Sequence, residues 1–170
     1  MQLPKFYFQI PENTPPPFLV GQVSATDADS GRNSHIKYKI HPGTSGSTNF
    51  AVYPNGGIVA LVKFDREKLG TYVFHVEASD SGKLPLSESA TVKIKIIDVN
   101  DCAPTFSVTS YDVAVDENMP HGTEIVQVKA EDHDLNENSK LSYQLNSNQS
   151  HVIQLIKVDR QSGVVIARGW

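Results

Sequence analysis

"DVNDCAPTF", residues 98–106, decides how this chain is read, because it lies between two apolar stretches of the same pattern. Within positions 98–102 it holds two aspartates, an asparagine and the chain's only cysteine, and a proline follows at 104. Upstream, "SATVKIKII" (89–97) alternates apolar with polar residues; downstream, "SYDVAV" (110–115) does nearly the same. Strict alternation is the signature of a half-buried strand. So much negative charge between two strands needs a physical reason.

Working outward, the two sides of this stretch are copies. At an offset of 105, Glu12-Asn13 falls on Glu117-Asn118, Val23 on Val128, Ala25 on Ala130, Asp27 on Asp132, Asp29 on Asp134, Asn33 on Asn138 and Tyr38 on Tyr143. The offset then slips to 106, bringing Val52 onto Val158 and Gly57-Ile58-Val59 onto Gly163-Val164-Val165. A fixed period of this size marks a tandem array.

The β signal runs throughout: "LVGQVSAT" (19–26), "HIKYKI" (35–40) and "TYVFHVEA" (71–78) are rich in β-branched and aromatic residues, and no stretch holds a helical period for ten residues. "DADSGRNS" (27–34), "PNGG" (54–57) and "SDSGKLP" (79–85) supply turns. Seven strands in roughly 105 residues describe a Greek-key β-sandwich. The expected fold is therefore all-β, two tandem seven-stranded sandwiches. Residues 1–98 form the first, 99–105 the linker and 106–170 the second, whose last two strands the offset places beyond Trp170. The chain reads as a fragment of a longer array.

Composition excludes several classes. Of the 170 residues, 39% are hydrophobic and the net charge is −4, which fits neither a disordered chain nor a nucleic-acid binder. No aliphatic run is long enough to cross a bilayer and no leader follows Met1, so direct membrane insertion is not expected. One cysteine cannot form an intrachain disulfide. The sequon Asn148-Gln149-Ser150 is compatible with a secreted glycoprotein. The six histidines share no ligand-like spacing and read as surface or strand-packing residues. Asp65 and Glu67 taken alone would resemble a glycosidase acid pair, yet no nucleophile elbow, phosphate loop or His-containing triad accompanies them. An enzyme is not expected.

The acids sit at strand ends: Glu12 after the first strand, Asp27 and Asp29 after the second, Asp65 and Glu67 before the sixth, Asp80 after the sixth, Asp98 after the seventh. Strand ends gather at the poles of a sandwich, and poles meet neighbours in a tandem chain. Glu12, Asp65, Glu67, Asp98, Asp101, Asp132 and Asp134 are thus expected to converge on the stretch at 98–106. Like charges about 4 Å apart repel by roughly 4 kcal/mol near a protein surface, and a cation relieves that repulsion. Hard oxygen ligands without a His or thiol pattern suit Ca²⁺ rather than Zn²⁺.

"PEN" (11–13), "DAD" (27–29), "DRE" (65–67), "ASDSG" (78–82) and "DVNDCAPTF" (98–106) resemble, in order, the calcium motifs of cadherin repeats, and "DEN" (116–118) and "DHD" (132–134) repeat part of the series. The resemblance implies up to three calcium ions at the junction. Glu12, Asp65, Glu67 and Asp101 would hold the outermost; Glu12, Glu67, Asp98, Asp101, Asp134 and the Val99 carbonyl its neighbour. Asn100, Asp132, Asp134 and the carbonyls of Cys102 and Asn138 would hold the third, short of the counterpart of Asp80. Cys102 stands where the family usually has asparagine; its ligand would be a main-chain oxygen, so calcium binding should survive. Asp27, Asp29, Asn33 and Asp80 would be the half-site of an upstream junction, weak or empty without its other half.

The function so implied is calcium-dependent cell–cell adhesion, with junction ions stiffening the array, or alternatively a spacer whose fellow repeats make the contacts. Partners would be other cadherin ectodomains, homophilic or heterophilic, on the extracellular side of the plasma membrane. "DADSGRNSHIKY" (27–38) looks most like protocadherins and the long Fat and Dachsous cadherins.

Overall fold

The computed structural model describes residues 3–28, 35–44, 46–148 and 150–168. Contacts divide the chain into two compact units, Met1–Val99 and Asn100–Trp170. Among the described residues the first contains seven strands: β1 (Lys5–Pro11), β2 (Phe18–Gln22), β3 (Lys37–Ile40), β4 (Phe50–Val52), β5 (Gly57–Ala60), β6 (Thr71–Ser79) and β7 (Ser87–Ile97). They form two sheets, ordered β1-β7-β6-β3 and β2-β5-β4, packed as a sandwich. β1 runs parallel to β7, from Lys5 opposite Thr91 to Pro11 opposite Ile97, and the other pairs are antiparallel.

Alternation explains the core. Tyr72, Phe74 and Val76 of β6 and Val92, Ile94 and Ile96 of β7 point inward, while Val73, His75, Lys93 and Lys95 point out. Phe50 packs on Phe64, Tyr72 and Phe74 with ring centroids 5.0–5.7 Å apart. Burying each such side chain contributes about 1.5–3 kcal/mol. The expected strands at 19–26, 35–40, 71–78 and 89–97 all correspond to observed ones.

The second unit contains β8 (Thr105–Phe106), β9 (Glu124–Gln127), β10 (Ala130–Glu131), the short helix α1 (Ser150–Leu155), β11 (Ile156–Val158) and β12 (Val164–Ala167). The sheet β11-β12-β9 is the counterpart of β4-β5-β2. The likeness extends to detail: a register shift interrupts β2–β5 after Leu19 and β9–β12 after Val165. Tyr38 Oη accepts from the Ala25 amide at 3.0 Å and Tyr143 Oη from the Ala130 amide at 3.1 Å.

Three expectations are corrected. Gly163 is the counterpart of Gly56, not Gly57: Val23 N donates to Gly56 O (2.9 Å) and Val128 N to Gly163 O (3.0 Å). Both glycines have positive φ, 83° and 71°, and a Cβ on either would meet the carbonyl oxygen of Val23 or Val128 at 2.0 or 2.3 Å. The turn entering β12 is therefore one residue longer than that entering β5. Second, 110–115 forms no strand. Its counterpart β1 is held by β7, and among the described residues no strand lies beside 110–115 to hold it. Third, α1 is helical where only strands and turns were expected; six residues are too few to show a helical period.

Candidate metal centre

In the first unit the register of β1, β6 and β7 puts Pro11 beside Ile97 and Thr71 beside Lys95. Glu12, the 65–67 turn and Asp98 therefore share one pole of the sandwich. Glu12 is 2% exposed. Its carboxylate is fixed from two sides, Oε2 accepting from the Arg66 amide and Oε1 from the Val99 amide, both at 2.9 Å. Backbone bonds from Glu12 N to Ile97 O and Asn13 N to Phe64 O close the same corner, with Asn13 in the left-handed region at φ 60°. A ligand oxygen from each of Glu12, Asp65 and Glu67 lies within 4.8 Å of the other two.

The electrostatics reflect this crowding. Partial burial, together with hydrogen bonding and repulsion from Glu12, holds the Glu67 carboxyl above its ordinary range despite Arg66. Arg66 is ion-paired with Glu67 and Asp98 and lies 3.9 Å from Glu12. Its guanidinium is partly buried, which works against its charge, but Asp98, Glu67 and Glu12 outweigh this and raise its pKa. Asp65 is held low by its hydrogen bond and ion pair to Lys68, 2.8 Å away. Arg66 was not singled out in the sequence; a lone cation between two acids in "FDREK" was the available signal.

In the second unit Asp134 is 4% exposed. Its two carboxylate oxygens stand 3.3 and 3.4 Å from the Cys102 amide, and its own amide donates to Asp132 Oδ1 at 2.9 Å. Asp101, Cys102 and Asp134 each offer a potential ligand atom within 4.8 Å of the others. The Cys102 thiol is half-buried, 3.8 Å from Asp101 Oδ1. Asn100 is exposed and Asn138 half-buried, its amide donating to Leu135 O. Of the upstream half-site, Asp27 and Asp80 line one depression of about 300 Å³ at the opposite pole of the first unit. The Asp80 carboxylate also accepts from the amides of Gly82 and Leu86. Asp29 and Asn33 lie outside the described residues.

The donor set within each unit is hard oxygen, with one peripheral thiol, and suits a hard divalent cation of flexible geometry. Residues 6–97 match the Cadherin domain. This chain belongs to the cadherin family. Similar proteins include mouse Protocadherin Fat 4, 37% identical over 92% of this chain and 3% of its own length. Chimpanzee Protocadherin gamma-B2 is 35% identical over 94% of this chain and 17% of its own length. Mouse Cadherin-23 EC22-24 superposes in its crystal structure with a TM-score of 0.85 at 34% identity, covering 98% of this chain and 52% of that one. The chain thus spans a small part of these curated relatives. Cadherin domains are adhesion modules rather than enzymes, and they generally bind Ca²⁺ at the junctions between repeats. No helix among the described residues is long and apolar enough to cross a membrane.

Proposed function

We propose that this chain is a calcium-dependent adhesion segment of a cell-surface cadherin, acting on the extracellular side of the plasma membrane. The observation that carries the reading is the Glu12, Asp65 and Glu67 cluster: three carboxylates within 4.8 Å, one of them buried and tied to two backbone amides. Each oxygen of the Glu12 carboxylate uses one lone pair on an amide and keeps another to offer. Val99, Asn100, Asp101 and Cys102 of the connecting stretch, with Asp98, Asp132, Asp134 and Asn138, supply the remaining oxygens. When bound, Ca²⁺ supplies the positive charge that lets these acids share one region.

The physical consequence follows from repulsion. Without divalent charge, acids brought to one junction push apart, and a short connecting stretch leaves adjacent repeats free to swing. With their oxygens satisfied together, Glu12, Glu67, Asp101 and Asp134 fix one relative orientation. A stiff array presents adhesive surfaces in register to another cadherin ectodomain. Extracellular calcium modules work at roughly 10⁻⁴ to 10⁻³ M, so such sites fill outside cells.

Calorimetric titration with calcium tests this. Asp65→Ala with Glu67→Ala should weaken binding, and so should Asp134→Ala, whereas Asp112→Ala, an acid outside every motif, should leave it unchanged. Small-angle scattering should show a narrower distribution of shapes on adding millimolar calcium. Equal effects of all these substitutions, or an unchanged scattering profile, would overturn the reading.

A further inference from the structure

The outer face of the β1-β7-β6-β3 sheet differs in charge from the rest of the chain. Residues alternating with the core strands project there: Lys5 and Tyr7 from β1, Lys93 and Lys95 from β7, Val73, His75 and Glu77 from β6, and Lys37 and Lys39 from β3, with His41 just beyond. All five lysines are exposed. Among the described residues Glu77 is the one carboxylate on this face; it pairs with Lys39 at 2.8 Å and His41 at 3.1 Å. Lys5, Lys37, Lys93 and Lys95 make no ion pair with any described residue. With neutral histidines the face carries a formal +4 on a chain whose net charge is −4.

The cations form a band. Lys95 lies opposite Thr71, Lys93 opposite Val73, Lys39 opposite Glu77 and Lys37 opposite Ser79. Eight residues of strand separate the row of Lys95 from that of Lys37, about 27 Å at 3.4 Å per residue. Beside the band lies a depression of about 190 Å³ lined by Lys5, Tyr7, Val73, Thr91 and Lys93. Tyr7, 67% exposed, offers a ring face and a hydroxyl at its edge.

We propose that this sheet face binds a linear sulfated polysaccharide of the glycosaminoglycan class. A band of flexible point charges without a preorganised arginine fork fits repeated anionic groups along a polymer rather than a single phosphate held bidentately. An amphipathic tyrosine beside the lysines suits a sugar ring, with an apolar face to pack and hydroxyls to bond. Clustered charge of one sign raises the local concentration of an oppositely charged polymer even where the whole protein is acidic.

The test measures binding of the full chain to a heparin dodecasaccharide at physiological salt, with calcium and with chelator. Lys93→Glu with Lys95→Glu should weaken it about tenfold or more and flatten its salt dependence. A matched charge change off this sheet face, Lys83→Glu with Lys157→Glu, should change it less than about twofold. Lys93→Thr with Lys95→Thr, which keeps strand-forming residues, should also weaken binding, and far-ultraviolet circular dichroism confirms that the sheet persists. Four outcomes would overturn the proposal: no binding by the parent chain at physiological salt, equal losses in the matched control, equally tight binding of polyglutamate, or preference for phosphatidylserine vesicles. Polyglutamate binding would indicate an acidic protein partner, and vesicle binding a membrane surface.

Discussion

The two units share strand order, register shift, tyrosine latch and turn glycine in the sheet that both possess, yet they differ sharply in core. Among the described residues, thirteen of the fourteen buried hydrophobic ones belong to the first unit, leaving Ala167 alone in the second. In place of a core the second unit has an open groove of about 600 Å³, lined among others by Phe106, Tyr111, Val128, Tyr143 and Val165. The reason is topological. β6 and β7 sit in the middle of the four-stranded sheet, and no described strand of the second unit takes their place, so the segments matching β1 and β3 pair with no described strand. The three-stranded sheet and its turns need only each other. Local hydrogen bonding and turn chemistry can build one layer, but burial requires both.

Core truncation should give the largest contrast. Phe74→Ala in the first unit should cost about 3–5 kcal/mol, whereas Val165→Ala, on the rim of the groove, should cost well under half of that, measured by urea unfolding. Comparable losses would mean that the second unit is closed in solution. Next come the turn glycines: Gly56→Ala and Gly163→Ala each force a side chain into left-handed backbone and against a carbonyl, at about 1–3 kcal/mol. Hydrogen exchange should show the whole first unit loosened by Gly56→Ala, but only β9 to β12 loosened by Gly163→Ala.

An effect no larger than this is expected at the buried acid. Glu12→Gln keeps one amide bond and sets its NH₂ against the other, so the first unit should lose about 1–3 kcal/mol. The calcium-induced rise in its melting temperature should shrink as well. The smallest contrast concerns pH. Asp159, ahead of β12, accepts from Ser162 N, Ser162 Oγ and Gln161 N, and these bonds hold its carboxyl below the ordinary range. Its support for the turn is therefore complete above the unfolded value of about 3.9 and fades as pH falls through the lower folded value. Exchange of the Ser162 amide should speed up there in the parent chain, and Asp159→Asn should abolish that step.

Particular residues show what the sequence could reveal. Alternation in "TYVFHVEA" and "SATVKIKII" located β6 and β7, because period two is local information. "SYDVAV" carries a similar pattern and forms no strand, since a strand exists through its neighbour, and no pattern within 110–115 reports on one. Matching glycine to glycine misaligned the copies by one residue at Gly163; the position that counts is the one with positive φ against a carbonyl, and chain order alone does not mark it. The acids at strand ends were legible as a group. The Arg66 guanidinium among three of them was hidden because side-chain direction in a turn has no period.

The parallel pairing of β1 with β7 has a mechanical consequence. The chain enters the first unit at Lys5 and leaves it after Ile97, at opposite ends of one seven-residue ladder. Tension applied through the neighbouring segments therefore shears the ladder along its length and loads its hydrogen bonds together, whereas an antiparallel pair pulled from one end would open a bond at a time. A unit connected in this way should resist stretching through its terminal strands before the core is disturbed. In single-molecule pulling it should yield in one abrupt step instead of a gradual peel.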